Sequence, residues 1–228
     1  MKEVKSTYLA EVIEKAYENY EFECIMIQGK QGSGKTHYAL YTLRSLYGSW
    51  EEALYNLVFN PFSTLPRLRD AVANEYRIKA LCYDDAGKWL SKYLYFFKGG
   101  KFIVMSMNAL INLMRTCCAA IIYTSPDPDI LKELRKKVWI VVDIVKTNRK
   151  HWRKAIIYRK KIRPTGFTTL KLLSEETFPL LKIPKTVWQD YNTMRKSATL
   201  ETIDSLLAFI EQHKDVLQAI MSPQYARL

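Results

Sequence analysis

The sequence predicts an α/β fold, on three observations. A glycine-rich loop, 29–36, sits between a strand-like stretch and a helix-like one. A second apolar run, Ile78–Tyr83, ends in the acid pair Asp84 and Asp85. Two more short apolar runs, 118–123 and 138–145, follow with helical stretches between them.

The elements follow in order. Residues 4–20 read as an amphipathic helix with Tyr8, Leu9, Val12, Ile13, Ala16 and Tyr17 on one side. Residues 21–28, EFECIMIQ, carry a Cys24-Ile25-Met26-Ile27 core suited to a buried strand. The loop Gly29-Lys30-Gln31-Gly32-Ser33-Gly34-Lys35-Thr36 meets every required position of Gly-x-x-x-x-Gly-Lys-[Ser/Thr]. Residues 35–47 supply the helix after it, with Gly48 as its stop. This order suits phosphate chemistry. Glycines let successive N–H groups turn inward as an anion nest, and the helix N-terminus adds partial positive charge. Lys35 is expected on the β- and γ-phosphates of ATP and the Thr36 hydroxyl on Mg²⁺, with His37 completing the nucleotide-binding set.

Residues 50–59, WEEALYNLVF, begin with helix formers and end like a strand, and Asn60-Pro61 breaks them. Residues 63–75 read as a helix capped by Ser63 or Thr64, with Pro66 in its first turn. The strand Ile78–Tyr83 then delivers Asp84 to the metal and Asp85 to the attacking water. Residues 88–97 read as an aromatic-rich helix, 98–101 as a turn and 102–115 as an apolar core helix. The strand at 118–123 ends in Thr124 and Ser125, polar residues placed to sense the γ-phosphate. Pro126, Asp127, Pro128 and Asp129 form a turn, and 130–137 a short helix. Residues 138–145 and 152–162 pattern as a hairpin across a polar turn. Arg149, Lys150, Arg153 and Lys154 there surround Trp152, a mixture suited to nucleic-acid phosphates and stacked bases. A break at Pro164-Thr165-Gly166 divides a core, 1–163, from a helical C-terminal region, 164–228, expected to pack on it. That region contains helices at 185–196 and 199–220, the second with Leu200, Ile203, Leu206, Leu207 and Ile210 on one face.

Composition narrows the function classes. Nearly half of the 228 residues are apolar, which supports a substantial core and argues against disorder. No run of about 18 apolar residues occurs, so no membrane span is expected. The N-terminal stretch carries acids and lacks an apolar signal core. Cys24, Cys82, Cys117 and Cys118 lie in apolar strand-like segments without zinc spacing, which suits a reducing compartment, the cytoplasm. The formal net charge of +12 favours a polyanionic partner, with DNA foremost.

The motif GKTHYAL, 34–40, resembles the opening of the nucleotide loop in DnaA-, DnaC- and IstB-like AAA+ ATPases. CYDDAG, 82–87, is similar to their Walker B strand, and Tyr123-Thr124-Ser125-Pro126 to their sensor-1 strand. The chain also resembles small ATPases carried by viruses and plasmids of thermophilic archaea. The resemblance implies a P-loop NTPase three-layer sandwich, with a mostly parallel sheet, the loop strand central and helices on both faces. It also implies ATP-driven work on DNA, as an initiator or helicase loader, in a homo-oligomer whose neighbouring subunit supplies an arginine. Arg135 is placed for that role. A basic hairpin stands where an AAA+ lid would begin, so FtsK/HerA-type translocases and packaging ATPases, which carry extra terminal strands, are the alternative.

Overall fold

The computed structural model describes residues 6–86, 100–126, 136–162 and 168–212. The chain divides into two units, Met1–Val187 and Trp188–Leu228.

The first unit is built on a seven-stranded sheet. In chain order its described elements are α1 (Tyr8–Glu18), β1 (Glu23–Gln28), α2 (Lys35–Tyr47), α3 (Trp50–Tyr55), β2 (Leu57–Val58), a 3₁₀ turn (Pro61–Thr64), α4 (Leu65–Ala73), β3 (Ile78–Tyr83), α5 (Gly100–Cys117), β4 (Cys118–Ser125), β5 (Ile140–Lys146), β6 (Trp152–Ile162) and β7 (Thr168–Pro179). The strand order is β2-β3-β4-β1-β5-β6-β7, so the glycine loop leaves the central strand. β2, β3, β4, β1 and β5 run parallel, and β6 and β7 continue the sheet antiparallel.

Burial explains the central strands. Every residue of β4 is buried, as are Cys24, Ile25, Met26 and Ile27 of β1, because helices cover both faces of a parallel sheet. On one face Leu68 and Ala71 of α4, and Met107, Leu110, Ile111 and Met114 of α5, close over Cys24, Met26, Leu81, Tyr83, Ile121 and Tyr123. α1 and α2 also pack on the sheet. The Thr7 hydroxyl caps α1 by accepting from the Ala10 N–H at 3.1 Å.

The ambiguous stretch 50–59 is both things in succession. Ser49 caps a short helix, Asn56 ends it, and Leu57–Val58 pairs with Cys82 and Tyr83 at the sheet edge. The helix expected over 63–75 is shorter, because Pro61–Thr64 winds as a 3₁₀ turn before α4 begins. The residues 87–99, 127–135 and 163–167 are outside the described set. The expected helix at 88–97, most of the one at 130–137, and Arg135 therefore fall outside it.

The expected division at 163/164 does not coincide with the sheet. Residues 168–179, assigned from sequence to a helical region, form β7, which pairs with β6 from Trp152↔Pro179 to Ile162↔Thr168. Polar and aromatic groups fasten β7 to the helices. The Tyr38 hydroxyl donates to the Glu176 carboxylate, which also accepts the Tyr8 N–H at 3.1 Å. Phe178 packs on the rings of Tyr38 and Tyr41, at 5.2 and 6.1 Å. A register shift at Ile157/Tyr158 breaks the two-residue period, which hides the pairing from pattern reading.

The second unit continues the helix α6 (Lys185–Gln212), in which Trp188 and Tyr191 stack with centroids 4.8 Å apart. The helix expected at 185–196 and residues 199–212 of the one expected at 199–220 form a single helix, since Ser197-Ala198 contains no breaker, and residues 213–220 lie outside the described set. Among the described residues no helix is long and apolar enough to cross a membrane.

Candidate functional site: the phosphate loop at the carboxyl edge of the sheet

The parallel strands end along one edge. Gln28 of β1 pairs with Ser125 of β4, and Tyr83 of β3 with Tyr123 of β4. Side chains just beyond these ends therefore converge, as ligand sites do at the carboxyl ends of open α/β sheets. β4 lies between β1 and β3, so Thr124 stands between the glycine loop and the acid pair.

The loop is tightly held. The Lys35 ammonium donates to the carbonyls of Gly29 at 2.9 Å and Lys30 at 3.2 Å, so it sits within the loop's curl. It is only 8% exposed. Gly29 has φ +145°, and a methyl group on it would stand 2.6 Å from the Ile144 carbonyl oxygen. Gly34 has φ +102°, and a methyl there would lie 3.0 Å from Leu180 Cδ2 and 3.3 Å from Arg153 Cγ. At Gly29 a side chain would collide with backbone, at Gly34 it would press on the Leu180 and Arg153 side chains, and at both the positive φ adds strain. Lys30, Gln31 and Gly32 form the exposed outer arc. Ser33 Oγ is buried without a hydrogen-bond partner.

Asp84 is the hub. Its carboxylate, on a residue 1% exposed, accepts the Thr36 hydroxyl at 3.0 and 3.2 Å through its two oxygens. It also accepts the Thr124 hydroxyl at 2.5 Å. Thr124 in turn accepts the Asp85 N–H at 3.0 Å, and its carbonyl accepts the Ala86 N–H at 3.0 Å. Thr124 therefore holds the Asp84 carboxylate and the backbone at Asp85 and Ala86. Ser125, 2% exposed, ends β4 beside Gln28. Asp85 has φ +49°, a conformation that Asp tolerates better than most residues, and its side chain is exposed beyond the strand end. Of the residues expected at the nucleotide, the structure thus gathers Lys35, Thr36, Asp84 and Thr124, and sets Asp85 at the rim.

These groups fit a magnesium nucleotide. A hydroxyl and a carboxylate within hydrogen-bond reach are hard oxygen donors of the kind Mg²⁺ takes alongside substrate phosphates. The orphaned Ser33 hydroxyl lies in the loop where a phosphate oxygen would accept from it. Among the described residues no group of three or more His, Cys, Asp or Glu side chains could hold a metal, so a site dominated by protein ligands is absent there.

His37 follows the loop on α2. Burial, and secondarily the Arg153 guanidinium, push its pKa down to about 4. Its imidazole is therefore neutral at pH 7.

The hairpin's basic residues are not one cluster. Side chains alternate across a strand. Arg153 pairs with Phe178 and shares the face that packs on α2, whereas Lys154 points to the other face and forms an ion pair with Glu175. The turn carries Arg149, with its guanidinium 6.0 Å from the Trp152 ring, and exposed Lys150. The Thr147 hydroxyl braces that turn by donating to the Arg149 and Trp152 carbonyls. Phe178, Leu180 and Glu176, which carry β7 against the loop helix, were missed from sequence, because no local motif marks them.

Strand order, loop and acid strand together make this a P-loop NTPase fold. No family model matches the chain. Protein B-251 of Sulfolobus spindle-shape virus 1 is 30% identical, covering 88% of this chain and 85% of that protein. The chain belongs to the family of this viral protein. Protein ORF286 of Acidianus two-tailed virus is 31% identical over 160 residues, which is 69% of this chain and 55% of the relative, so the match spans about half of that longer protein. Solved structures that align are more distant. The N-terminal domain of zonular occludens toxin from Neisseria meningitidis is 16% identical, with 74% of this chain and 97% of that one covered and a TM-score of 0.36. The genome packaging NTPase B204 of Sulfolobus turreted icosahedral virus 2, solved with AMPPCP, is 13% identical, with 65% and 96% covered and a TM-score of 0.35. At such scores the fold assignment rests on the chain's own geometry.

Proposed function

We propose that this protein is a Mg²⁺-dependent ATPase that works on DNA in the cytoplasm of the virus's host. The observation that carries the reading is the Thr36–Asp84–Thr124 network beside the Lys35 loop. In this reading the loop N–H groups, Lys35 and the Ser33 hydroxyl bind the phosphates of ATP. Thr36 and Asp84 hold Mg²⁺, which neutralises phosphate charge when bound. Thr124 fixes the Asp84 carboxylate, and Asp85 accepts a hydrogen bond from the attacking water and orients it. Arg135 of a neighbouring subunit in a homo-oligomer completes the site. DNA binds through Arg149, Lys150, Lys154 and Trp152, on a chain of net charge +12.

The AAA+ resemblance makes the output that of an initiator or helicase loader. A second reading, a translocase or packaging ATPase, is favoured by one observation: β6 and β7 extend the sheet where a lid would begin.

The test is ATP hydrolysis by purified protein with and without DNA, beside a Lys35→Ala variant and a solution mass measurement. Turnover stimulated by DNA in wild type and absent in the variant supports the reading. Equal turnover in a folded Lys35→Ala protein removes the loop from the chemistry. Displacement of a bound third strand along duplex DNA would select the translocase reading.

A further inference from the structure

We propose that Arg153 is a nucleotide-binding residue supplied by the protein's own hairpin, its guanidinium taking the phosphate chain of ATP on the β6 side of the loop. The proposal rests on the phosphate-loop reading above and removes Arg153 from the DNA surface that its sequence neighbours suggest.

The first support is placement. Alternation along β6 puts Arg153 on the same face as Ala155 and Ile157, both fully buried, and opposite Phe178. Phe178 packs on α2, the helix that begins at Lys35. Arg153 is thereby carried to the helix start. Its Cγ would stand 3.3 Å from a methyl on Gly34, the residue that caps α2 and precedes the phosphate lysine. The absence of a side chain on Gly34 leaves room for this close approach.

The second support is the guanidinium's own hydrogen bonding. One terminal nitrogen donates to the Trp152 carbonyl at 2.9 Å and to the Lys150 carbonyl at 3.3 Å. Nε is inaccessible to solvent and has no acceptor. A buried donor without an acceptor is unfavourable, and a guanidinium in that state suits an anion. Ser33 Oγ, on the loop itself, is a second buried group lacking a partner. In the proposed complex the oxygens of the bound phosphate chain supply the acceptors that both groups lack.

The third support is contrast within the hairpin. Lys154, one residue on, faces away and is paired with Glu175, and Arg149 lies over Trp152 in the exposed turn. These two remain with the DNA surface. Arg153 is the hairpin cation turned toward the loop helix.

The experiment measures the affinity of full-length protein for a fluorescent ATP analogue, and separately for single-stranded DNA. The proteins are wild type, Arg153→Gln, Arg153→Lys, Lys35→Ala and the Arg149→Gln/Lys150→Gln double variant. Glutamine keeps the Cβ and Cγ that cover Gly34, and lysine keeps the charge as well, so a folding defect in one leaves the other informative. The expected result is a loss of about tenfold or more in nucleotide affinity for Arg153→Gln, with part of it restored in Arg153→Lys. DNA affinity and its salt dependence should be those of wild type, whereas the double variant should show the reverse pattern. If Arg153→Gln and Arg153→Lys bind nucleotide normally while Lys35→Ala does not, the inference fails and the phosphate-loop reading stands. Normal binding in Lys35→Ala overturns both. Weakened DNA binding with unchanged nucleotide affinity in Arg153→Gln returns the residue to the DNA surface.

Discussion

Replacing Asp84 by asparagine separates the metal role of this side chain from its structural one. The carboxylate accepts the Thr36 hydroxyl through both oxygens, at 3.0 and 3.2 Å, and the Thr124 hydroxyl at 2.5 Å. Asparagine has the same shape and keeps one acceptor oxygen, so the Thr124 bond and one of the Thr36 bonds survive. Thr124 also stays partnered through the Asp85 N–H. Removing the other acceptor should cost stability about 1 kcal/mol. The effect on the metal is larger. Removing a carboxylate that holds a metal-binding group in place typically costs about 10- to 100-fold in metal affinity, or about 1.4–2.7 kcal/mol. The assay is binding of a fluorescent ATP analogue in EDTA and across a MgCl₂ titration, with thermal unfolding alongside. Wild type and Asp84→Asn should bind similarly in EDTA, and the variant should need about 10- to 100-fold more Mg²⁺ for the same enhancement. Superimposable Mg²⁺ titrations in the two proteins would refute the assignment. Unfolding of the variant would show instead that the buried carboxylate is chiefly a structural hub.

The hairpin reading predicts that Arg149→Gln, Lys150→Gln and Lys154→Gln together weaken binding to all DNA sequences. They should also flatten the logarithmic salt slope on duplex by about 0.9 for each phosphate no longer neutralised. Unchanged slopes would mean that these charges are only a solvated surface. The neutral His37 predicts a pH dependence of stability. Its pKa falls from 6.5 to about 4 on folding, so the unfolded chain takes up the proton first. The stabilisation is present above pH 6.5 and diminishes as pH falls toward 4, by up to about 3 kcal/mol at about 1.4 kcal/mol per pH unit. Denaturant melts of wild type against His37→Gln between about pH 4 and 7 read this difference directly, and a constant difference would exclude it.

The loop, its flanking strand and helix and the acid strand were legible in the sequence because each is a local signal. A phosphate nest needs glycines and a lysine at fixed spacing, and a buried parallel strand needs an uninterrupted apolar run. Those requirements act over about ten residues, so Lys35, Thr36 and Asp84 could be named without coordinates. The hairpin differed. Its candidate residues are neighbours in sequence, but pleating sends Arg153 to α2 and Lys154 to the opposite face. Which face is buried depends on β7, through Phe178 on Tyr38 and Tyr41 and Glu176 on Tyr38. β7 itself was obscured by the register shift against β6. Local spacing thus determined the glycine loop and the acid strand of this chain, because each is built from residues close in sequence. Only the tertiary structure decided which hairpin cations face the loop helix, because strand pairing over long sequence separations sets which side of the sheet a side chain occupies.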